Sequence, residues 1–474
     1  MKRHHRPHPP KPASRPTLLE RVNPKAAGID CGAEAHYVAV PSDRDASPVR
    51  AFKTFTADLH RLADWLAACG VTSVAMESTG VYWIPLFEIL EARGLEVLLV
   101  NARHVKNVPG RKTDVVDCQW LQELHSVGLL RGSFRPAAAI AALRAYLRHR
   151  ETLVQSAATH VQRMQKALVQ MNLQLPVVLS DISGVTGLRI LRDIIAGQTD
   201  PHALAQHRDI RCRASDAEIT AALTGHYRPE HLFVLQQNLE LFDAYQRQLA
   251  ACDVAIEAHV RTLAAQAPAP PAPPAPPAPP APLPTPRTSK KPRANEPRFD
   301  IRTPLHHLTG VDLTQLDAIG PYSALRLLAE IGTDMDRWPT AKHFTSWLTL
   351  APHNKISGGR LLSSQTPRSA NRAAGILRMA AMTLGRTETA LGAFYRRLAY
   401  RVGKAKAITA TARKLAILVY RTLKEGLLYH DVGAAVYDAQ HRTRVLRRLR
   451  QRAATLGFAL VNRDTGEVLE GAVS

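Results

Sequence analysis

The first part of the chain alternates between two hydrophobic patterns. Short apolar runs typical of strands separate stretches with helical spacing over residues 25–136. The predicted strands are residues 26–29, 36–40, 50–55, 71–76 and 95–101, and the predicted helices are 59–69, 82–92 and 113–130. This alternation predicts one α/β domain. Because two adjacent strands come first and β-α-β units follow, the order suits an RNase H-like sheet.

Residues 137–265 are predicted to be almost wholly helical, with apolar residues repeating in heptads. The first run has Ile140, Leu147, Val154, Val161 and Leu168, with Arg150 as a polar break at the offset position, and the second has Leu235, Phe242, Leu249, Ile256 and Leu263. Such repeats favour a helical coiled coil and self-association, as a dimer or tetramer. Two long helices that pack within their own domain are the alternative.

Composition marks the other segments. Residues 1–24 form a basic, proline-rich tail that we predict to be disordered, and 266–300 form a Pro/Ala-rich linker. We expect this spacer to divide the chain into two halves that move relative to each other. Residues 301–430 are predicted to be a mostly helical domain, and 431–474 form a second basic tail with an arginine-rich helix.

Two glycine-containing hairpins, residues 181–187 and 316–322, each come directly before a predicted helix. These helix-hairpin-helix-like elements would expose backbone N–H groups that can bind phosphate without regard to base sequence. The fold class predicted for the whole chain is therefore multidomain, α/β followed by all-α.

Charge points to the kind of partner. The 62 Lys and Arg residues exceed the 40 Asp and Glu residues, which gives a net charge of +22 and favours nucleic acid, with a basic solvated surface as the alternative. No apolar run is long enough to cross a membrane, and the N-terminus does not resemble a secretory signal, so we expect a cytoplasmic protein. The five scattered cysteines predict neither disulfides nor a zinc module.

Four acidic residues form the candidate site. Asp30 and Glu77 each follow an apolar strand-like run, and Asp114 and Asp117 lie three apart on one face of a predicted helix. Such an isolated pair is usually only a charged helix face. Two strand ends and a helix face that all present carboxylates predict a site for Mg²⁺, in which two ions could support phosphodiester chemistry and Mn²⁺ could substitute.

Longer motifs resemble a known family, the DEDD-type transposases of the insertion sequence 110 family. In the first half they are residues 28–32 (Gly-Ile-Asp-Cys-Gly), 76–83 (Met-Glu-Ser-Thr-Gly-Val-Tyr-Trp) and 107–117, which end in Asp-Val-Val-Asp. In the second half they are residues 317–321 (Asp-Ala-Ile-Gly-Pro), 327–332, 338–342, 350–352 and 357–359 (Ser-Gly-Gly). The resemblance covers residues 24–430, in the family's order.

The resemblance implies a metal-dependent recombinase with a RuvC-like domain at 25–136 and a serine-bearing transposase domain at 301–430. By motif match, Asp30, Glu77, Asp114 and Asp117 are the metal-binding acids, and Ser357 is the nucleophile of a covalent serine–DNA intermediate. It also implies donor and target DNA as substrates and a bridge RNA as guide. Subunits would assemble so that the serine of one meets the acids of another.

Two departures and two rival functions stay open. Leu350-Ala351-Pro352 stands where Leu-Thr-Pro is familiar, and residues 361–372 lack the glycines expected there. Ser363, Ser364 and Ser369 are less favoured as nucleophiles. The rivals are a Holliday-junction-type endonuclease, in which water attacks, and a nucleic-acid-binding protein without catalysis.

Overall fold

The computed structural model describes residues 20–78, 80–101, 114–267, 295–463, 465–466 and 468–469 of the chain. The side chain of Asp114 is outside this description, as are most of the basic tail predicted to be disordered and most of the Pro/Ala-rich linker. Contacts divide the chain into two compact units, Met1–Arg135 and Pro136–Ser474.

The first unit is built on a five-stranded sheet with the order β3-β2-β1-β4-β5. Strands β1 and β2 are antiparallel, as are β2 and β3, whereas β4 is parallel to both β1 and β5. The strands are β1 (Ala26–Cys31), β2 (Ala35–Ala39), β3 (Val49–Lys53), β4 (Ser73–Glu77) and β5 (Glu96–Val100), and the helices are α1 (Thr56–Ala68), α2 (Trp83–Ala92) and α3 (Asp114–Ser126). The predicted α/β alternation is confirmed, and the order is consistent with an RNase H-like domain.

Helices cover both faces of this sheet. Ala27, Ile29 and Cys31 of β1 belong to an apolar core that includes buried leucines of α1 and α2. Side chains alternate between the faces of a strand, so Gly28 and Asp30 belong to the opposite face, where α3 packs. The sheet is therefore the middle layer of three.

Two long antiparallel helices, α4 (Ala138–Gln170) and α9 (Pro229–Gln266), organise the second unit. His160 Nδ1 lies 2.9 Å from Asn238 Oδ1, and His259 Nε2 lies 2.8 Å from the carbonyl oxygen of Ala139 at the far end of the pair. Most of the heptad residues of both runs are buried. The two heptad runs thus pack against each other within one chain, and association between copies stays a prediction.

Four short helices connect this pair: α5 (Leu175–Val178), α6 (Val185–Ile195), α7 (Pro201–Ala205) and α8 (Asp216–Leu223). They share an apolar core with one end of the long pair. The first predicted glycine hairpin does open a helix, because Gly184 caps α6.

The chain after the Pro/Ala tract is helical apart from two hairpins. Its elements are α10 (Arg302–Thr309), α11 (Pro321–Ile331), α12 (Ala341–Trp347), β6 (Lys355–Ser357), β7 (Arg360–Ser363), α13 (Arg372–Leu384), α14 (Ala390–Val402), α15 (Lys404–Glu425), α16 (Gly433–Thr455), β8 (Leu460–Val461) and β9 (Val468–Leu469). Gly320 caps α11, so the second glycine hairpin also opens a helix. Among the described residues, no helix has the length and apolar character needed to span a membrane.

Arginines of α4 hold this later segment against the long helix pair. Arg148 makes a two-pronged contact with Glu330 of α11, at 3.0 and 2.8 Å, and Glu151 pairs with both Arg326 and Arg372. The chain on the two sides of the Pro/Ala tract therefore belongs to one compact unit, whereas the sequence led us to expect two halves that move relative to each other.

Arg150, the polar break in the heptad run, is the most buried of these arginines, with 3% of its surface exposed. It pairs with Asp253 of α9 at 2.5 Å, donates to the carbonyl oxygen of Asn295 at 2.8 Å, and contacts the hydroxyl of Tyr322 at 3.2 Å. One guanidinium thus joins both long helices, the end of the linker and the start of α11. Its hydrogen bonds offset the cost of burying the charge.

We expect Arg150→Met to lower the free energy of unfolding by about 3 kcal/mol, because it leaves the carboxylate of Asp253 partly buried and unpaired. Arg148→Met is the matched control; Arg148 is more exposed and Glu330 keeps a second partner in Arg144 at 3.5 Å, so its loss should cost under about 1 kcal/mol. Chemical denaturation of the full chain measures both. Equal losses would contradict a special role for Arg150.

Candidate active site

The site begins with an unusually close approach of α3 to β1. A β-carbon at Gly28 would overlap the carbonyl oxygen of Cys118 and the backbone nitrogen of Gln122. The amide of Gln122 also donates to the carbonyl oxygen of Ala26, at 3.4 Å. Only glycine lets the helix backbone lie directly on the strand at this position.

This contact brings the start of α3 to the end of β1. Gln122 contacts both Ala26 and Gly28, so α3 runs antiparallel to β1, and its earlier residues lie towards Asp30. Asp30 lies two residues beyond Gly28 and shares its face, while Asp117 directly precedes Cys118. The structure therefore brings Asp30 and Asp117 to the same end of the same face.

Glu77 joins them through the parallel pairing of β1 and β4. Ile29 is paired with Met76, so Asp30 and Glu77 are the next positions along the two strands. Ser73 Oγ lies 3.0 Å from His125 Nε2 of α3, which shows that Ser73 points to the α3 face. Glu77, four residues later in the same strand, points the same way.

The negative charges of the acidic residues affect the pKa of two neighbouring thiols, Cys31 and Cys118. Burial, followed by the charges of Asp30 and Glu77, raises the pKa of the Cys31 thiol. Burial raises the pKa of Cys118 to about 12, and both Asp30 and Asp117 add to the increase. Both cysteines are buried and pack as small side chains.

The donor set fits a hard divalent cation, since three carboxylates share one edge of the sheet. Asp114 is the first residue of α3, and its side chain is outside the described part of the chain. Within the residues that the structure describes, no three acidic, histidine or cysteine side chains converge closely enough to form a metal site. The strand ends and the helix start are thus brought together, but the side chains that the structure describes do not form a closed ligand cage.

Ser357 lies in the second unit, at the end of the first strand of the β6–β7 hairpin. Gly358 and Gly359, with φ values of 54° and 75°, form the turn, and Ser357 pairs with Arg360 across it. Two consecutive positive φ angles are typical of a tight hairpin turn that favours Gly-Gly. Ser357 and both turn glycines are exposed, so the hydroxyl is displayed at the tip of the hairpin.

Sequence reasoning missed two features of the first unit. Tyr37 of β2 lies directly opposite Asp30, and His125 of α3 binds Ser73 beneath the acidic residues. The strand alternation around Asp30 and the helical spacing after Asp117 carried a signal for both residues. Their partners could not be chosen without the register of β2 and the direction of α3.

Family comparisons agree with this geometry. A family model for transposases of the DEDD type in the IS110 group matches residues 27–173, which include all four acidic positions. A second model, described as Transposase IS116/IS110/IS902 family, matches residues 312–396, which include Ser357. The chain belongs to the IS110 family of DEDD transposases.

Membership identifies a DNA-processing enzyme with DNA as its substrate. DEDD transposase domains typically depend on divalent metal ions. No curated protein sequence matches the chain. The first matched segment covers most of the first compact unit and continues through α4 of the second, and the other matched segment lies within the second unit.

Gly28→Ala should displace α3 from β1 and lower the free energy of unfolding by about 2 kcal/mol, since the added methyl overlaps helix backbone. Hydrogen exchange should rise throughout Asp114–Ser126, and DNA cleavage should fall with it. Gly375→Ala is the control, because a β-carbon at Gly375 meets nothing within 4 Å. Unchanged exchange in α3 of the Gly28 variant would refute the close-approach argument.

Proposed function

We propose that this transposase cuts and rejoins donor and target DNA through a metal site formed by Asp30, Glu77, Asp114 and Asp117, with Ser357 as the nucleophile. The observation that carries the proposal is the shared face and edge of Asp30, Glu77 and Asp117. Three acidic residues from three separate elements would have no reason to share one sheet edge if they were only solvated charges.

The four carboxylates would hold Mg²⁺, with two ions in the active complex and Mn²⁺ able to replace them. Bound there, the metal would polarise the phosphodiester and stabilise the charge of the leaving oxygen. Asp30 and Glu77 project from a rigid sheet, which fixes their positions, whereas Asp114 and Asp117 depend on the docking of α3. Gly28 thereby supports the metal site without contacting the metal.

The hydroxyl oxygen of Ser357 would attack the phosphorus of the scissile phosphodiester. The bond to the leaving sugar oxygen breaks, the serine proton is released, and the leaving oxygen takes up a proton. The energy of the broken bond is kept in the new serine–phosphate ester, so a hydroxyl of a second strand can reverse the step and rejoin the DNA. Arg360, paired with Ser357 across the hairpin, brings a positive charge to the same tip.

A guide RNA and a homo-oligomer, dimer or tetramer, complete the proposal. The net charge of +22 is large enough to attract an RNA in addition to a DNA duplex. RNA that co-purifies with the full chain, once sequenced and compared with the DNA flanking the gene, tests the guide. Protein that purifies free of RNA and still cuts its own element at specific positions would exclude it.

Ser357→Ala should abolish the covalent protein–DNA adduct that denaturing gels detect, because no oxygen remains to attack. Ser363→Ala, in the second strand of the same hairpin, is the matched control and should keep the adduct. Hydrolysed DNA ends without attached protein in the unaltered enzyme would instead favour the junction-endonuclease alternative.

Asp30→Asn and Asp117→Asn should each lower DNA cleavage at least about a hundredfold while DNA binding persists, since each removes a charged oxygen ligand. Chelation of divalent ions should have the same effect, and added Mn²⁺ should restore the unaltered enzyme. Calorimetric titration of Mn²⁺ measures the site directly, with Asp43→Asn as an exposed control on the same unit. Full cleavage by either site variant would support the non-catalytic alternative.

A further inference from the structure

The last long helix, α16, carries a run of arginines, and the acidic residue of this helix, Asp438, comes before that run. The arginines are Arg442, Arg444, Arg447, Arg448, Arg450 and Arg452. The sequence from residue 439 to residue 463 contains no Asp or Glu. The helix lies beyond both segments that match the transposase family, which end at residues 173 and 396.

The arginines of α16 are presented to solvent. Five of the six are exposed, and Arg450 is half-buried. In the part of the chain that the structure describes, none of the six forms an ion pair with a carboxylate. Six positive charges that repel one another within a few helical turns destabilise a helix unless an external anion neutralises them.

Helix α14 anchors the first half of α16 and adds further positive charge. Arg397 of α14 donates to the hydroxyl of Tyr437 at 2.6 Å and lies 2.6 Å from His441 Nε2. Burial, followed by the positive charges of Arg397 and Arg444, lowers the pKa of both Lys414 and His441. The positive field therefore extends from α16 across the neighbouring helices.

The arginines lie on several sides of the helix rather than on one stripe. Successive steps of five residues turn the helix by about 140°, so Arg442, Arg447 and Arg452 point in three different directions. A single strand of phosphates lying along the helix could meet only one of these directions. A groove with phosphates on both walls could meet all three.

We propose that α16 lies in the major groove of duplex DNA and binds the phosphates on both sides. An α-helix with its side chains is about 10–12 Å wide, which matches a B-form major groove about 12 Å across. A second copy of α16 is excluded as the occupant by charge, since both helices would carry the same six arginines. The proposal does not depend on Ser357 or on the acidic site.

The test compares two triple variants of the full chain, each of which loses three positive charges. The α16 variant is Arg442→Gln, Arg447→Gln and Arg452→Gln; the control variant is Arg163→Gln, Arg247→Gln and Arg386→Gln. All six arginines are exposed, and glutamine keeps helical propensity, so both proteins should fold. Circular dichroism and thermal unfolding check this first.

The probe is a labelled 30-base-pair DNA duplex, titrated at several salt concentrations. The α16 variant should bind at least about tenfold more weakly, and the slope of log Kd against log salt should fall by about 2.7, for three lost phosphate contacts. The control variant should keep a steeper slope than the α16 variant. Equal slopes for the two variants would overturn the proposal.

An RNA hairpin of similar length is the second probe. Weakened binding of the RNA hairpin by the α16 variant, with unchanged binding of the DNA duplex, would overturn the proposal in favour of RNA. Because binding is measured without metal, the result is independent of cleavage. Failure of the serine or metal predictions would therefore leave this test unaffected.

Discussion

The direct contact between α3 and β1 at Gly28 is the constraint on which the acidic site depends. A helix packed on a sheet through ordinary side chains stands about 10 Å away, and its carboxylates would then miss the strand ends. At Gly28 the helix backbone lies directly against the strand backbone, so Asp117 is held close to the sheet and near Asp30. The parallel register of β1 and β4 then adds Glu77 without further adjustment.

A comparable constraint holds the second unit together, although it uses charge rather than close packing. Arg150 occupies a heptad position where an aliphatic residue would give a simple helix pair. Its contacts with Asp253, Asn295 and Tyr322 join the long helices to the segment after the linker. The domain that carries Ser357 is thus fixed to α4 and α9 by hydrogen-bonding geometry.

The strands and helices of the first unit could be predicted from the local spacing of hydrophobic residues. The strands and helices expected at residues 26–29, 71–76 and 113–130 occur as β1, β4 and α3, because each has a periodicity of its own. The strand ends at Asp30 and Glu77 followed from the same pattern. The distance between α3 and the sheet could not be predicted, because it depends on the lack of a β-carbon at Gly28 and not on any repeating hydrophobic pattern.

Long-range pairing was less accessible. A heptad run shows that a helix has an apolar seam, but the seam does not reveal whether its partner is in the same chain. Here the apolar seams of α4 and α9 pack against each other within one chain. The Pro/Ala tract similarly indicated a spacer, while the arginines that bring its two sides into one unit are spread over α4, α11 and α13.

The exposed position of Ser357 bears on its proposed role as the nucleophile. A serine hydroxyl is a weak nucleophile until a base or a metal activates it. In the part of the chain that the structure describes, the Ser357 hydroxyl has no hydrogen-bond partner, and its cross-strand neighbour is the cationic Arg360. Arginine can bind a phosphate but cannot accept the serine proton. As the proposed nucleophile, Ser357 would therefore need an activating group that comes from outside the hairpin.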